Sequence, residues 1–238
     1  MAQLFAGTSG WAYPSWKPGF YPEKLAQSKF LQHYSQRLNT VEVNYTFRHR
    51  LMEKTAQNWL TTAPANFQFA FKAHQAITHF RQLRDAAQLT ADFLASVNGF
   101  AVAKKLGPIL FQTPPHLECD LQLLRDFLAA LPRGGRFAME FRNAGWFQED
   151  VYAALRERNV ALCLAESEKL EVPRVRTADF VYLRLRREPY DEPARAAIAA
   201  QCSELLATGA DVYAYFKHED DPTGALHAEE LLRACAAS

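Results

Sequence analysis

Residues 41–47 alternate without exception: Val41, Val43, Tyr45 and Phe47 fall on one parity, Glu42, Asn44 and Thr46 on the other. A period of two is the pattern of a β-strand, because successive side chains leave it on opposite faces. Alternation or short apolar runs predict seven more strands, at residues 3–8, 66–72, 107–112, 136–142, 160–165, 180–186 and 211–217. Apolar residues at helical spacing predict helices at 25–38, 51–60, 82–105 (with a break near Asn98-Gly99), 121–131, 148–158, 193–207 and 226–234. Residues 167–177 have no apolar period, so the sixth helix is expected to be short or irregular. Residues 9–22 carry three prolines, two glycines and five aromatic side chains, the composition of an ordered loop.

Strand followed by helix, eight times over short connections, predicts a parallel sheet with crossover helices. The chain has 238 residues, close to the roughly 250 typical of a (β/α)8 TIM-type barrel. One such barrel is therefore expected over residues 1–238. The alternative, an open doubly wound sheet, normally shows G-x-G-x-x-G after its first strand. Gly7-Thr8-Ser9-Gly10 does not match it.

In a barrel the outward strand face packs on helices and the inward face fills the interior. The apolar sets, including Phe67/Phe69/Phe71, Phe137/Met139/Phe141 and Val212/Ala214/Phe216, take the outward face. The inward sets are then Glu42/Asn44/Thr46, Gln68/Ala70/Lys72, Leu110/Gln112, Ala138/Glu140/Arg142, Tyr182/Arg184/Arg186 and Tyr213/Tyr215/Lys217. They grow more polar toward the C-terminal strand ends, where barrel enzymes keep their chemistry. Glu42 and Lys72, on adjacent strands, are placed to neutralise one another, and Arg186, followed by Arg187, is expected at the solvated rim.

Lys72, Arg142, Arg184, Arg186 and Lys217 outnumber Glu42, Glu140 and Glu166, and a buried cation without a partner costs several kcal/mol. The surplus points to a mouth that favours anions. Phosphate fits best, because the seventh and eighth βα loops often cradle it; here they carry Arg186, Arg187, Lys217 and His218. The helix after Asp220-Asp221-Pro222-Thr223-Gly224 offers free N–H groups to an anion, unless Thr223 only caps it. Glu42 and Glu140 are the candidate general bases, and a pair of carboxylates also suits glycoside hydrolysis. Trp11, Tyr13, Asn44, Lys72, Gln112, Arg142, Arg184 and Lys217 are the candidate substrate contacts. Trp11 and Tyr13, with Trp16 and Tyr21, either stack a base or sugar or plug the mouth.

Composition narrows the classes. The chain is 49% hydrophobic and 22% charged, with formal net charge +1, so no global field advertises nucleic acid or an anionic membrane. No apolar run approaches the roughly 18 residues of a membrane helix, and no basic-then-apolar leader opens residues 1–10. A cytoplasmic protein with no membrane partner is expected. Cys119, Cys163, Cys202 and Cys235 form no C-x-x-C pair, and are expected reduced and at least half-buried. G-x-S-x-G is absent. His74, His79 and His218 with Glu42 and Glu140 are metal-ligand types, but no fixed ligand spacing such as H-E-x-x-H joins them, so no metal ligand is assigned. The residues name no cofactor and set no oligomeric state.

Several segments together resemble the domain of unknown function 72 family, also called YecE-like. They are Gly7-Thr8-Ser9-Gly10-Trp11 with Tyr13 and Trp16, Phe20-Tyr21-Pro22, Val41-Glu42-Val43-Asn44 with Thr46-Phe47, and Phe69-Ala70-Phe71-Lys72 with His79. Ile109-Leu110-Phe111-Gln112 with Pro114-Pro115, Met139-Glu140-Phe141-Arg142 with Trp146, Tyr182-Leu183-Arg184-Leu185 and Val212-Tyr213-Ala214-Tyr215-Phe216 complete the match. The resemblance implies a (β/α)8 barrel and no established activity. The chain departs from the family pattern in two places. Arg184-Leu185-Arg186-Arg187 stands where relatives tend to have Arg-Leu-His-Gly, and Phe216-Lys217-His218 where they tend to have Phe-Asn-Asn. The expectation is a barrel that binds or processes a phosphorylated or other anionic substrate. The alternatives are a nucleic-acid-binding module and a metal-dependent phosphodiesterase.

Overall fold

Eight parallel strands form one sheet in the order β1-β8-β7-β6-β5-β4-β3-β2, in a computed structural model that describes residues 2–187, 189–217 and 220–236. The strands are β1 (Leu4–Thr8), β2 (Thr40–Val43), β3 (Gln68–Lys72), β4 (Leu106–Gln112), β5 (Phe137–Glu140), β6 (Val160–Ala165), β7 (Phe180–Leu185) and β8 (Asp211–Phe216). Seven helices cross between them or follow the last: α1 (Phe30–Arg37), α2 (Glu53–Thr62), α3 (Ala87–Val102), α4 (Leu121–Ala130), α5 (Glu149–Glu157), α6 (Glu192–Ala207) and α7 (Thr223–Ala236). This is the expected (β/α)8 barrel. No helix forms between β6 and β7, where the sequence lacks a period. There the Thr177 hydroxyl lies along β6, accepting from Leu162 N and donating to Val160 O, each at 2.7 Å.

The two faces of the sheet separate as the alternation requires. Every residue of the expected outward sets lies in the large apolar layer between sheet and helices. The barrel interior holds a second cluster that includes Phe5, Ala70, Leu110, Ala138, Cys163, Tyr182, Tyr213 and Tyr215. Its N-terminal end is shut by Phe5 stacked on Tyr213, whose hydroxyl accepts from Arg136 Nη1 at 2.6 Å and donates to Gln68 Oε1 at 2.7 Å.

Between β1 and β2 the barrel is closed by side chains. The two strands share a bridge at Ser9 and Glu42. Elsewhere Asn39 stands in for a strand, its Oδ1 accepting from Ala6 N at 2.9 Å and its Nδ2 donating to Leu4 O at 2.8 Å. The Tyr34 hydroxyl accepts from Thr8 N at 2.9 Å and donates to Thr40 O at 3.0 Å. Gly7 makes the approach possible, since a Cβ there would lie 2.0 Å from Thr40 O and 2.8 Å from the Tyr34 hydroxyl.

Some expected elements are shorter than the pattern predicts: α1 starts at Phe30 rather than Leu25, and β5 ends at Glu140 rather than Arg142. Two others change as follows. The strand at 41–47 stops at Val43, because Asn44 turns to φ −85°, ψ −15° and a 3₁₀ turn, Tyr45–Phe47, follows. Asn44, Tyr45, Thr46 and Phe47 therefore leave the period of two. Tyr45 is exposed and stacks on His49. The helix expected at 82–105 starts at Ala87, since Gln82, Leu83 and Asp85 have positive φ, which no α-helix admits. It runs unbroken through Asn98-Gly99. Among the described residues no helix is long and apolar enough to cross a membrane. All four cysteines are free, Cys163 and Cys202 buried and Cys119 and Cys235 half-buried.

Candidate functional site

The C-terminal strand ends converge on one guanidinium. Arg184, next to last in β7, donates from Nη2 to Glu42 Oε1 of β2 at 2.7 Å and from Nη1 to Glu140 Oε2 of β5 at 2.6 Å. All three groups are buried. Glu42 Oε1 also accepts from the Ser9 hydroxyl at 2.8 Å and from Asn44 Nδ2 at 3.2 Å, while Glu42 Oε2 accepts from the Tyr182 hydroxyl at 2.8 Å. Arg142 donates from Nε to Glu140 Oε1 at 2.5 Å. Each carboxylate oxygen thus has a donor, so the two glutamates meet through Arg184 rather than across open space. The Arg184 Nε is buried without a hydrogen-bond partner.

Burial alone would raise the Glu42 carboxyl, but Arg184 and Arg186 outweigh it and hold the group far below the usual carboxylate range. For Glu140, burial is likewise overcome by Arg184 and Arg142, and its pKa is lowered. Such carboxylates stay ionised and are weak bases at neutral pH. The Cys163 thiol is pushed the other way by burial, so it is an inert interior residue.

Lys72 differs from the expectation that it neutralises Glu42. Its ammonium donates to Gln112 Oε1 at 2.9 Å and lies 4.0 Å from the centre of the Phe47 ring. Among the described residues it has no ion pair with a carboxylate. Burial and then the charge of Arg184 bring its pKa down to about 8, against the opposing pull of Glu42 and Glu140. The Tyr45–Phe47 turn that puts Phe47 beside it is tied to β3 by the Thr46 hydroxyl, which donates to Lys72 O at 2.8 Å.

Arg186 also departs from the expected solvated position. It folds inward over Glu42, with Nη2 3.1 Å from the Ser9 hydroxyl and 3.5 Å from Glu42 Oε1. Arg187 is the exposed member of that pair. Glu166, just past β6, fixes the loop: its Oε2 accepts from Arg186 N at 2.8 Å, from Arg187 N at 3.2 Å and from the Tyr190 hydroxyl.

A hollow of about 710 Å³ opens above this network. Asn44, Lys72, Gln112, Arg142, Arg184 and Lys217 line it, six of the expected contacts, together with Arg48, His49, Glu166 and Arg186. Trp11 and Tyr13 are not part of that lining. Trp11 meets Trp59 of α2 edge-on at 4.9 Å, and the Tyr13 hydroxyl donates to Ser9 O at 2.8 Å. Trp16 and Tyr21 are buried in the aromatic layer around Phe20, Phe30 and Tyr34. The N-terminus of α7 has its Thr223 N–H taken by Asp221 Oδ1 at 2.7 Å, and Thr223 is the first helical residue. His218 lies outside the described residues.

Ser9 was not among the expected site residues, although Phe5, Gly7 and Ser9 continue one parity of β1 by a single residue. Arg48 and His49 lie past the 3₁₀ turn, and no periodicity marked them. Among the described residues no three His, Cys, Asp or Glu side chains gather to hold a metal ion. His74 Nδ1 instead accepts from Ala76 N at 3.1 Å, and His79 Nδ1 pairs with the Thr78 hydroxyl at 2.9 Å.

Fold and strand-end chemistry together define a (β/α)8 barrel with a polar network at its C-terminal mouth. The chain belongs to the family described as protein of unknown function DUF72, whose model matches residues 5–238. It is similar to a DUF72 family protein from Thermotoga maritima, at 22% identity and a TM-score of 0.87 over 99% of this chain and 100% of that one. It is also similar to a DUF72 family protein from Enterococcus faecalis, at 16% identity and a TM-score of 0.77 over 100% and 99% of the two chains. These likenesses establish the fold. Among curated proteins no match is found.

Proposed function

We propose that the barrel mouth binds a small molecule through an anionic group, phosphate or carboxylate. The charge balance carries the reading. Arg48, Lys72, Arg142, Arg184, Arg186 and Lys217 reach the hollow, and among the described residues only Glu42, Glu140 and Glu166 oppose them. Glu42 and Glu140 are engaged in holding Arg184, Arg142 and Arg186, so their role in this reading is to fix guanidinium groups rather than to carry protons. Arg142, about one third exposed, and the exposed Lys217 then present charge to a ligand. Arg142, fixed by Glu140, binds an anion better than a mobile surface lysine does, because less is lost in ordering it. The volume suits a small molecule, for which sites span roughly 300–1,000 Å³.

The other readings have less behind them. A single-stranded nucleic acid needs a series of exposed aromatic faces, whereas Trp16 and Tyr21 are buried and Tyr45 is the one exposed Phe, Tyr or Trp among the described residues lining the hollow. A metal-dependent phosphodiesterase needs a ligand set that the described residues do not assemble.

Calorimetric titration with inorganic phosphate at low ionic strength tests the proposal. The native protein should bind, and Arg142→Ala combined with Lys217→Ala should weaken binding at least about ten-fold, or roughly 1.4 kcal/mol. Added salt should weaken both. Equal affinity in the native protein and the double variant would overturn the reading.

A further inference from the structure

We propose that Lys72 is a covalent site, condensing through Nζ with the carbonyl carbon of a small aldehyde or ketone that also carries an anionic group. The inference rests on the anion reading for its substrate class and on the surroundings of Lys72 for its chemistry. Lys72 is the last residue of β3, and its Nζ comes up inside the ring of strand ends. Its partners are a neutral amide, Gln112 Oε1 at 2.9 Å, and the face of Phe47 at 4.0 Å. Neither opposes loss of the proton as a paired carboxylate would.

The charged groups around Lys72 act in two directions. From β7 and its loop, Arg184 and Arg186 repel the ammonium, while Glu42 of β2 and Glu140 of β5 attract it. Both carboxylates are committed to arginines. His79, in the π-helical turn after β3, has its own pKa lowered by burial and then by Lys72, His116 and Arg142. Arg48, His49 and Lys217 line the same hollow. Burial and this cationic surplus leave a usable fraction of free amine at slightly alkaline pH, the condition under which a lysine becomes a nucleophile.

The step balances without an oxidant or reductant. The neutral amine lone pair attacks the carbonyl carbon, a C–N bond forms, and the π pair moves to oxygen. That oxygen takes a proton as nitrogen loses one, giving a carbinolamine. The hydroxyl then takes a proton from solvent and leaves as water with the C–O bond pair, the nitrogen lone pair forms C=N, and the second nitrogen proton returns to solvent. Arg142, Arg186 and Lys217 would hold the anionic end meanwhile. Arginine cannot replace Lys72, because its guanidinium stays protonated.

Reductive trapping tests this. The full chain is incubated with glyoxylate and sodium cyanoborohydride across pH 7–10, and labelled lysines are assigned by peptide mass spectrometry. A parallel series uses propanal, which is neutral. Glyoxylate should label Lys72 at least about ten-fold faster than the exposed Lys24 and Lys54, with a half-maximal rate near pH 8. Lys72→Arg should remove the fast label and leave the slow ones. Labelling of Lys72 no faster than Lys24 and Lys54 would overturn the covalent role, and the anion reading would stand if phosphate still binds. Equal trapping of propanal and glyoxylate at Lys72 would keep the amine chemistry and overturn the anionic substrate class.

Discussion

Arg184→Met should cost about 3–5 kcal/mol of stability at pH 8, the loss expected when one partner of a buried ionic cluster is removed. The methionine fills similar space but leaves Glu42 and Glu140, both buried, facing one another without the guanidinium that bridges them. The pH dependence separates this cause from a packing defect. In the native protein both carboxyls lie below their ordinary range. Their contribution is therefore present above the unfolded carboxylate pKa and is lost as pH falls through the folded values. Without Arg184, the largest counter-charge is gone and burial is expected to outweigh the remaining pull of Arg142 on Glu140 and of Arg186 on Glu42. Both carboxyls then rise, so that the folded variant binds protons that the unfolded chain releases. The native protein itself loses stability on acidification from pH 8 to pH 5, because the depressed His79 does not take up the proton that the unfolded chain binds. Relative to it, the stability of the variant should rise over that range. Urea unfolding at the two pH values measures this. A variant as stable as the native protein at pH 8 would mean that the cluster does not hold the mouth together.

Gly7→Ala is expected to be nearly as damaging, at about 3 kcal/mol, the upper end of ordinary overpacking losses. The added methyl meets a backbone carbonyl, Thr40 O, at 2.0 Å, and a backbone atom cannot rotate away as a side-chain tip can. Relief requires β1 to move off β2, which breaks the Tyr34 hydroxyl bonds to Thr8 N and Thr40 O. Tyr34→Phe alone should cost about 1–3 kcal/mol, for the unpaired groups it leaves. Because both changes open the same seam, the double variant should lose less than the sum of the two. Denaturant midpoints of the three variants give the comparison. A Gly7→Ala variant within about 0.5 kcal/mol of native would show that the seam closes by other contacts.

The barrel was legible because period-two alternation reports a face directly. Phe67, Phe69 and Phe71 took the helix side, and Ala70 and Leu110 the interior, as their parity required. Parity also put Glu42, Lys72, Gln112, Glu140 and Arg184 in one place, since all stand at or near the last residue of their strands. Parity does not say where a strand stops. Residues 41–47 kept their alternation while the backbone turned at Asn44, so Tyr45 reached the surface and Phe47 came beside Lys72.

The pairing within the site was beyond the sequence for a different reason. An arginine side chain is long enough to reach across a barrel mouth, so Arg184 joins β7 to β2 and β5, neither of which is its sheet neighbour. Glu42 and Lys72, on neighbouring strands, were the pair that adjacency suggested. Once Glu42 is taken by Arg184, Lys72 turns to Gln112. Arg186 shows the converse: its parity pointed inward, and a rim position inferred from the charge of Arg187 was misleading.

Selenate, a tetrahedral anion of phosphate shape with a strong anomalous signal, locates anions in a crystal without prior assumption. Crystals soaked in it should show an anomalous peak in the barrel mouth, within hydrogen-bond distance of Arg142, Arg186 or Lys217. Filled surface sites with an empty mouth would contradict the anion-binding account.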